Sequence, residues 1–110
     1  MAYIPQPNRK REKIDGIEFV SANRIIAAVE KHFEITKDDL LRKCRRIEIV
    51  YPRQVAMFLL SHYTALTLKS IAVIFNKDHT TVVHSMQTID NYIDTDPNVK
   101  VQMDAIISTF

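Results

Sequence analysis

The stretch from Thr67 to Ile93, TLKSIAVIFNKDHTTVVHSMQTIDNYI, constrains the fold more than any other part of the chain. Thr67 can cap about two turns of helix, LKSIAVIF; three residues, NKD, follow; and Asp78 can cap a second helix continuing to about Ile93. In that second segment Val82, Met86, Ile89 and Ile93 fall on one stripe at helical spacing. Short helix, tight turn and longer helix predict a helix-turn-helix.

The remaining segments also read as helices. Ser21 is placed to cap one through its hydroxyl, with Ile25, Ile26, Val29 and Phe33 as the buried stripe and an end near His32 or Phe33. Thr36 and Asp39 resemble a capping box, with Asp in place of the usual Glu, and open the short segment KDDLLRK with Leu40 and Leu41 facing inward. From Cys44 to Tyr51 the run CRRIEIVY alternates apolar and polar residues, but Pro52 pushes its predecessor towards extended geometry and no partner strand is present. An extended loop is expected there. Pro52 then suits the first turn of a third helix, whose Val55, Ala56, Phe58, Leu59, Leu60 and Tyr63 make it the most buried element. Asp96-Pro97 opens a final helix with Val99, Met103, Ile106 and Ile107 on its inner face. The expected fold is all-α, a compact bundle of about six helices containing a helix-turn-helix.

Length and composition fit one such core. The chain has 110 residues, 46% hydrophobic and 25% charged, which suits a single folded domain and is too apolar for a disordered one. Residues 1–16 carry Pro5, Pro7, charge and little apolar periodicity, and Gly16 is the only glycine, so a flexible basic arm is expected ahead of a folded domain at 17–110. Cys44 has no second cysteine to pair with, the first residues lack the apolar stretch of a signal peptide, and the apolar runs are too short to span a bilayer. These features place the chain in a reducing cytoplasm, away from membranes.

The net charge of +2 conceals an asymmetry: residues 1–54 hold 12 Lys/Arg against 8 Asp/Glu, and residues 55–110 hold 3 against 5. Two clusters produce it, NRKREK at 8–13 and RKCRR at 42–46. Basic runs are commonly solvated surface, so their context decides between that reading and contact with nucleic acid.

The second helix of the helix-turn-helix supplies that context. Thr80, Val83, His84 and Gln87 group nearly opposite its apolar stripe. A helix N-terminus offers unpaired N–H groups and a positive dipole end to a phosphate. In a major groove, Asp accepts from cytosine N4, Thr bonds a base edge or packs its methyl on thymine, and His donates to a base or phosphate. The string DHTT brings these chemistries together in one turn. The plainer alternative is that Asp78 is only an N-cap and Thr80 and Thr81 only first-turn residues.

Metal and catalytic readings have less behind them. His79 and His84 are five apart, off the spacing that sets two ligands on one helix face, and Cys44, His32 and His62 share no ligand-like spacing. There is no Gly-rich phosphate loop, nucleophile elbow or evident carboxylate pair. No metal, no cofactor and no enzymatic activity are expected.

The strings KDHTTVVHSMQTI and YPRQVAMFLL together resemble the C-terminal DNA-binding domain, domain IV, of the DnaA family of bacterial chromosomal replication initiators, over roughly residues 17–110. The resemblance implies a bundle of the Trp-repressor-like helix-turn-helix type and a stand-alone, sequence-specific binder of double-stranded DNA at an A/T-rich, DnaA-box-like site. It also implies a bacterial or phage-encoded protein at the nucleoid, acting in regulation of replication initiation or transcription. By the same resemblance Asp78, His79 and Thr80 would read bases in the major groove, and Val83 would touch a thymine methyl. Arg45, flanked by Lys43 and Arg46, would enter the minor groove, which attracts arginine where A/T-rich sequence narrows it. Lys43, Arg46, Arg53, Gln54, Lys77, Thr81 and His84 would contact phosphates, which fix register without reading sequence.

The sequence departs from the family at several points. Cys44 and Ile47 stand where the family is usually basic, Lys69 replaces a common proline, and the turn NKD is one residue shorter than the usual glycine-containing turn. Nothing in the 110 residues resembles the initiator's ATPase module. Cys44 and Ile47 at those positions, with the acidic balance of residues 55–110, motivate a second expectation, a protein-interaction module that docks to a replication or regulatory partner after losing specific DNA binding.

Overall fold

In the computed structural model, which describes residues 20–110, six helices follow one another without a strand among the described residues: α1 (Ala22–Phe33), α2 (Lys37–Leu41), α3 (Ile47–Tyr63), α4 (Leu68–Ile74), α5 (His79–Thr95) and α6 (Pro97–Ile107). The arm expected at residues 1–16 lies outside the described residues.

The caps explain most of the boundaries. Thr36 forms the capping box: its hydroxyl accepts the Asp39 N–H at 3.1 Å and the Asp39 carboxylate accepts the Thr36 N–H at 3.2 Å. Thr67 accepts the Ser70 N–H, Asp78 the Thr81 N–H, and Asp96 the Asn98 N–H ahead of Pro97 at the first helical position. Ser21 is extended at the N-cap of α1 as the sequence suggests, but its side chain makes no capping bond. Its carbonyl closes the first turn by accepting from Arg24 and Ile25.

One expectation is corrected. The segment IEIVY is not an extended loop; it forms the first turn and more of α3, which begins at Ile47 and carries Pro52 inside it. The Arg46 carbonyl closes this turn by accepting the Ile49 and Val50 N–H groups at 2.9 and 2.8 Å. Pro52 removes only the bond its own N–H would give to Glu48, close to the end where helices lack partners anyway. Ile49 and Pro52 are both buried, and that burial opposes the disfavour of an internal proline. The extended loop shrinks to residues 42–46.

α3 is the central element. Its run Val55–Ser61 is buried on all sides, packed on α1, α2, α4 and α5. Ile25 and Val29 of α1, Leu40 of α2, Ile71 of α4, Val82, Met86 and Ile89 of α5, and Met103 and Ile106 of α6 complete the core, each no more than 2% exposed. This arrangement holds α4 and α5 against a rigid body while leaving the first turn of α5 at the surface.

Candidate nucleic-acid interface

The turn between α4 and α5 sets the approach of the second helix. Asn76 adopts a left-handed conformation, φ 52°, just after α4. Its N–H reaches the Val73 carbonyl at 3.1 Å, and the Lys77 N–H reaches the Ala72 carbonyl at 2.9 Å. These are the two bonds of a Schellman ending, with asparagine where glycine is commonest. α4 therefore stops at Ile74, one residue sooner than its apolar pattern suggests, and the chain turns directly into the Asp78 cap.

At the start of α5 the Asp78 carboxylate accepts the Thr81 N–H at 2.7 Å. That bond and a second from the Thr81 side chain hold the Asp78 carboxyl below the usual aspartate range, with His79 adding to the effect. Val82 bonds the Asp78 carbonyl, so the His79 and Thr80 N–H groups are the two in this turn left for an outside acceptor. The side chains of His79, Thr80 and His84 are exposed. Thr81 is half-buried, and Val83, expected to face outward, is half-buried and packed against the core. The stripe of Val82, Met86 and Ile89 is buried as its spacing requires, with Ile93 half-buried below it.

The basic loop lies beside this turn. Leu41 and Lys43 from the loop side and Phe75, Asn76 and Lys77 from the turn line one open cleft of about 220 Å³. Within the loop the cations differ. Arg42 pairs with Asp39 at 3.6 Å and Arg46 with Glu48 at 3.2 Å, both at the surface. Lys43 and Arg45 are exposed and meet no carboxylate among the described residues. Arg46 must therefore leave Glu48, a weak exposed partner, to meet a phosphate, whereas Arg45 has no such partner among the described residues.

Arg53 is where the geometry departs most from the sequence reading. Expected at a phosphate, it is only 6% exposed. Its Nε donates to the Leu40 carbonyl at 2.9 Å, Nη2 to the Arg42 carbonyl at 2.7 Å and Nη1 to the Cys44 carbonyl at 3.2 Å. With its N–H groups on three sides spent on the backbone, Arg53 ties the basic loop to α3 instead of facing a ligand. Burial lowers the guanidinium pKa from the ordinary arginine value. The signal was present in the sequence: Arg53 shares a three-to-four spacing with Ile49, Ala56 and Leu60, which is the spacing of a core-facing side chain. Its neighbour Gln54 is half-buried and makes no side-chain hydrogen bond among the described residues.

Surfaces of other kinds are sparse among the described residues. No group of three or more His, Cys, Asp or Glu side chains is placed to hold a metal ion, and no helix is long and apolar enough to cross a membrane.

Comparison with known proteins bears on the same residues. The family model described as the bacterial DnaA protein helix-turn-helix matches residues 22–89, from the start of α1 into the second half of α5. Similar curated proteins include the chromosomal replication initiator protein DnaA of Treponema pallidum (strain Nichols), 36% identical over 90 residues that make up 81% of this chain and 19% of that protein. The protein of the same name from Lacticaseibacillus casei (strain BL23) is 43% identical over 81 residues, 73% of this chain and 18% of its own. That of Lachnoclostridium phytofermentans is 33% identical over 94 residues, 84% and 21% respectively. The chain spans about a fifth of the length of these relatives.

Proposed function

Because the chain belongs to the bacterial DnaA helix-turn-helix family, we propose that it binds double-stranded DNA in the context of chromosome replication, reading one A/T-rich, DnaA-box-like site with two elements at once. The first turn of α5 enters the major groove. The loop at 42–46 lies over the adjacent minor groove and delivers Arg45 into it. Residues 17–110 make up the DNA-reading domain, and the basic segment 1–16 adds charge to it.

The observation that carries this reading is the shared cleft of the loop and the helix-turn-helix turn, lined by Lys43 and Lys77. It sets two cationic elements side by side, one on each side of a space in which a phosphate backbone fits between two grooves. In the major groove, His79 and Thr80 present exposed side chains to base edges, and the exposed carboxylate of Asp78 accepts from a cytosine amino group. Val83, half-buried, offers only part of its side chain to a thymine methyl. Phosphates fall to Lys43, Lys77, Arg46, Gln54, Thr81 and His84, together with the His79 and Thr80 N–H groups at the positive end of α5.

A titration by fluorescence anisotropy tests this. The protein is added to a labelled duplex carrying a DnaA-type box and to a scrambled duplex of equal composition, each at two salt concentrations. Tighter binding to the box at both salts is the expected result. Equal binding to the two duplexes that disappears as salt rises leaves only phosphate attraction, and capture of a replication or regulatory protein in its place supports the interaction-module reading.

A further inference from the structure

Arg53 is buried, charged and has no carboxylate partner among the described residues. What replaces a counterion is a set of carbonyl dipoles at the end of α2 and along the loop: residues 40, 42 and 44 turn their oxygens to one side and close around the guanidinium. A cation at the C-terminal end of a helix is favourably placed, and here it also satisfies carbonyls that the helix leaves without partners. The planar fork suits this task, since its donors point in fixed and divergent directions, whereas a lysine ammonium is a single point at the end of a flexible stem.

The next residue after the last of these carbonyls is Arg45. We infer that Arg53 is a positioning residue for Arg45: by gathering the carbonyls of Leu40, Arg42 and Cys44 it fixes the backbone from which the minor-groove side chain projects. The inference rests on the DNA-reading assignment above. Residues 42–46 link α2 to α3 without a helix of their own, so the bonds from Arg53 tie the middle of this loop to the rigid core. A loop already held in its working shape loses less freedom when it enters a groove, and this strengthens binding without any contact of Arg53 with DNA.

Two kinds of measurement test the inference. In the free wild-type protein, the Arg53 Nε–H signal in the NMR spectrum exchanges slowly with water, and it keeps its position when box duplex is added. A fast-exchanging signal, or one that moves with the signals of phosphate-bound arginines, overturns the inference, and this reading needs no variant. Arg53→Lys keeps the charge but not the fork. In that variant, amide exchange across residues 42–46 rises while the amides of α5 keep their protection.

Box binding by Arg53→Lys falls by roughly 5- to 150-fold when Arg45 is present, and by much less in an Arg45→Ala background. Equal losses in both backgrounds mean that Arg53 acts on DNA independently and overturn the inference. Exchange separates the two ways of failing. Raised loop exchange in a protein that prefers no duplex ends the DNA-reading assignment alone, whereas unchanged loop exchange ends the role of Arg53.

Discussion

The Asp78 carboxylate and the Thr81 N–H meet at 2.7 Å, so the acid that opens α5 is already engaged in the free protein. Asp78 is exposed as well as engaged in the cap, which gives its carboxylate two separable tasks. Asp78→Asn keeps an oxygen for the cap but supplies a donor in place of an acceptor. It is expected to unfold at nearly the wild-type temperature while losing preference for the base pair that Asp78 reads. Unchanged base-pair preference in Asp78→Asn would assign the residue to capping only.

The same cap predicts a pH dependence. Hydrogen bonds from Thr81 lower the Asp78 pKa in the folded protein, so its contribution to stability is complete above the ordinary aspartate value of about 4. That contribution is lost as pH falls through the lowered folded value. Asp78→Ala should therefore melt below wild type at pH 7, and the gap in melting temperature should close in strong acid. A gap that persists in strong acid contradicts the carboxylate cap.

Arg45 and Thr80 are exposed, and Arg45 meets no carboxylate among the described residues, so each can be removed without disturbing the core. Arg45→Ala and Thr80→Ala are each expected to cost about 1–3 kcal/mol of discrimination between box and scrambled duplex. Their thermal unfolding should match wild type. Unchanged box selectivity in either variant removes that residue from the reading surface.

Asn76 holds the left-handed turn between α4 and α5. Asn76→Gly is expected to fold as well as wild type, and Asn76→Val to lose about 1–2 kcal/mol, because a branched side chain crowds the backbone in that conformation. Urea unfolding of the two variants decides this. Equal stability of the Gly and Val forms would show that the turn does not rest on a left-handed residue.

Leu59 is fully buried in α3. Leu59→Ala should destabilise the protein by about 2–5 kcal/mol in urea unfolding, the range for a leucine truncated in a closed core. A loss below 1 kcal/mol would mean that α3 is not the central helix.

The helices were legible in the sequence wherever a cap preceded an apolar stripe. Thr36, Thr67, Asp78 and Asp96 all cap through side-chain oxygens, and the buried residues of α5 and α6 follow their spacing. What the sequence concealed has a common cause, the use of backbone groups in place of side chains. Arg46 starts α3 through its carbonyl, which leaves no signature in residue type, so the sequence points to a start at Pro52 where the helix begins at Ile47.

The candidate site divides in the same way. The exposed turn of His79 and Thr80 and the exposed Arg45 follow from helical spacing and local charge. The inward course of Arg53 depends on carbonyls 9 to 13 residues away, and a basic residue next to a basic loop suggests the opposite direction. Its place on the stripe of Ile49, Ala56 and Leu60 was the better guide.

The central claim, that one DNA site is read from two grooves by α5 and by Arg45, is tested most directly by base-pair replacement across a bound box. An inosine–cytosine pair presents the minor-groove edge of A·T and the major-groove edge of G·C, so it separates the grooves. At the pairs under the loop, replacing A·T by inosine–cytosine should leave binding unchanged while G·C weakens it. At the pairs under α5, the two replacements should weaken binding equally. The same response at every position would contradict the two-groove account.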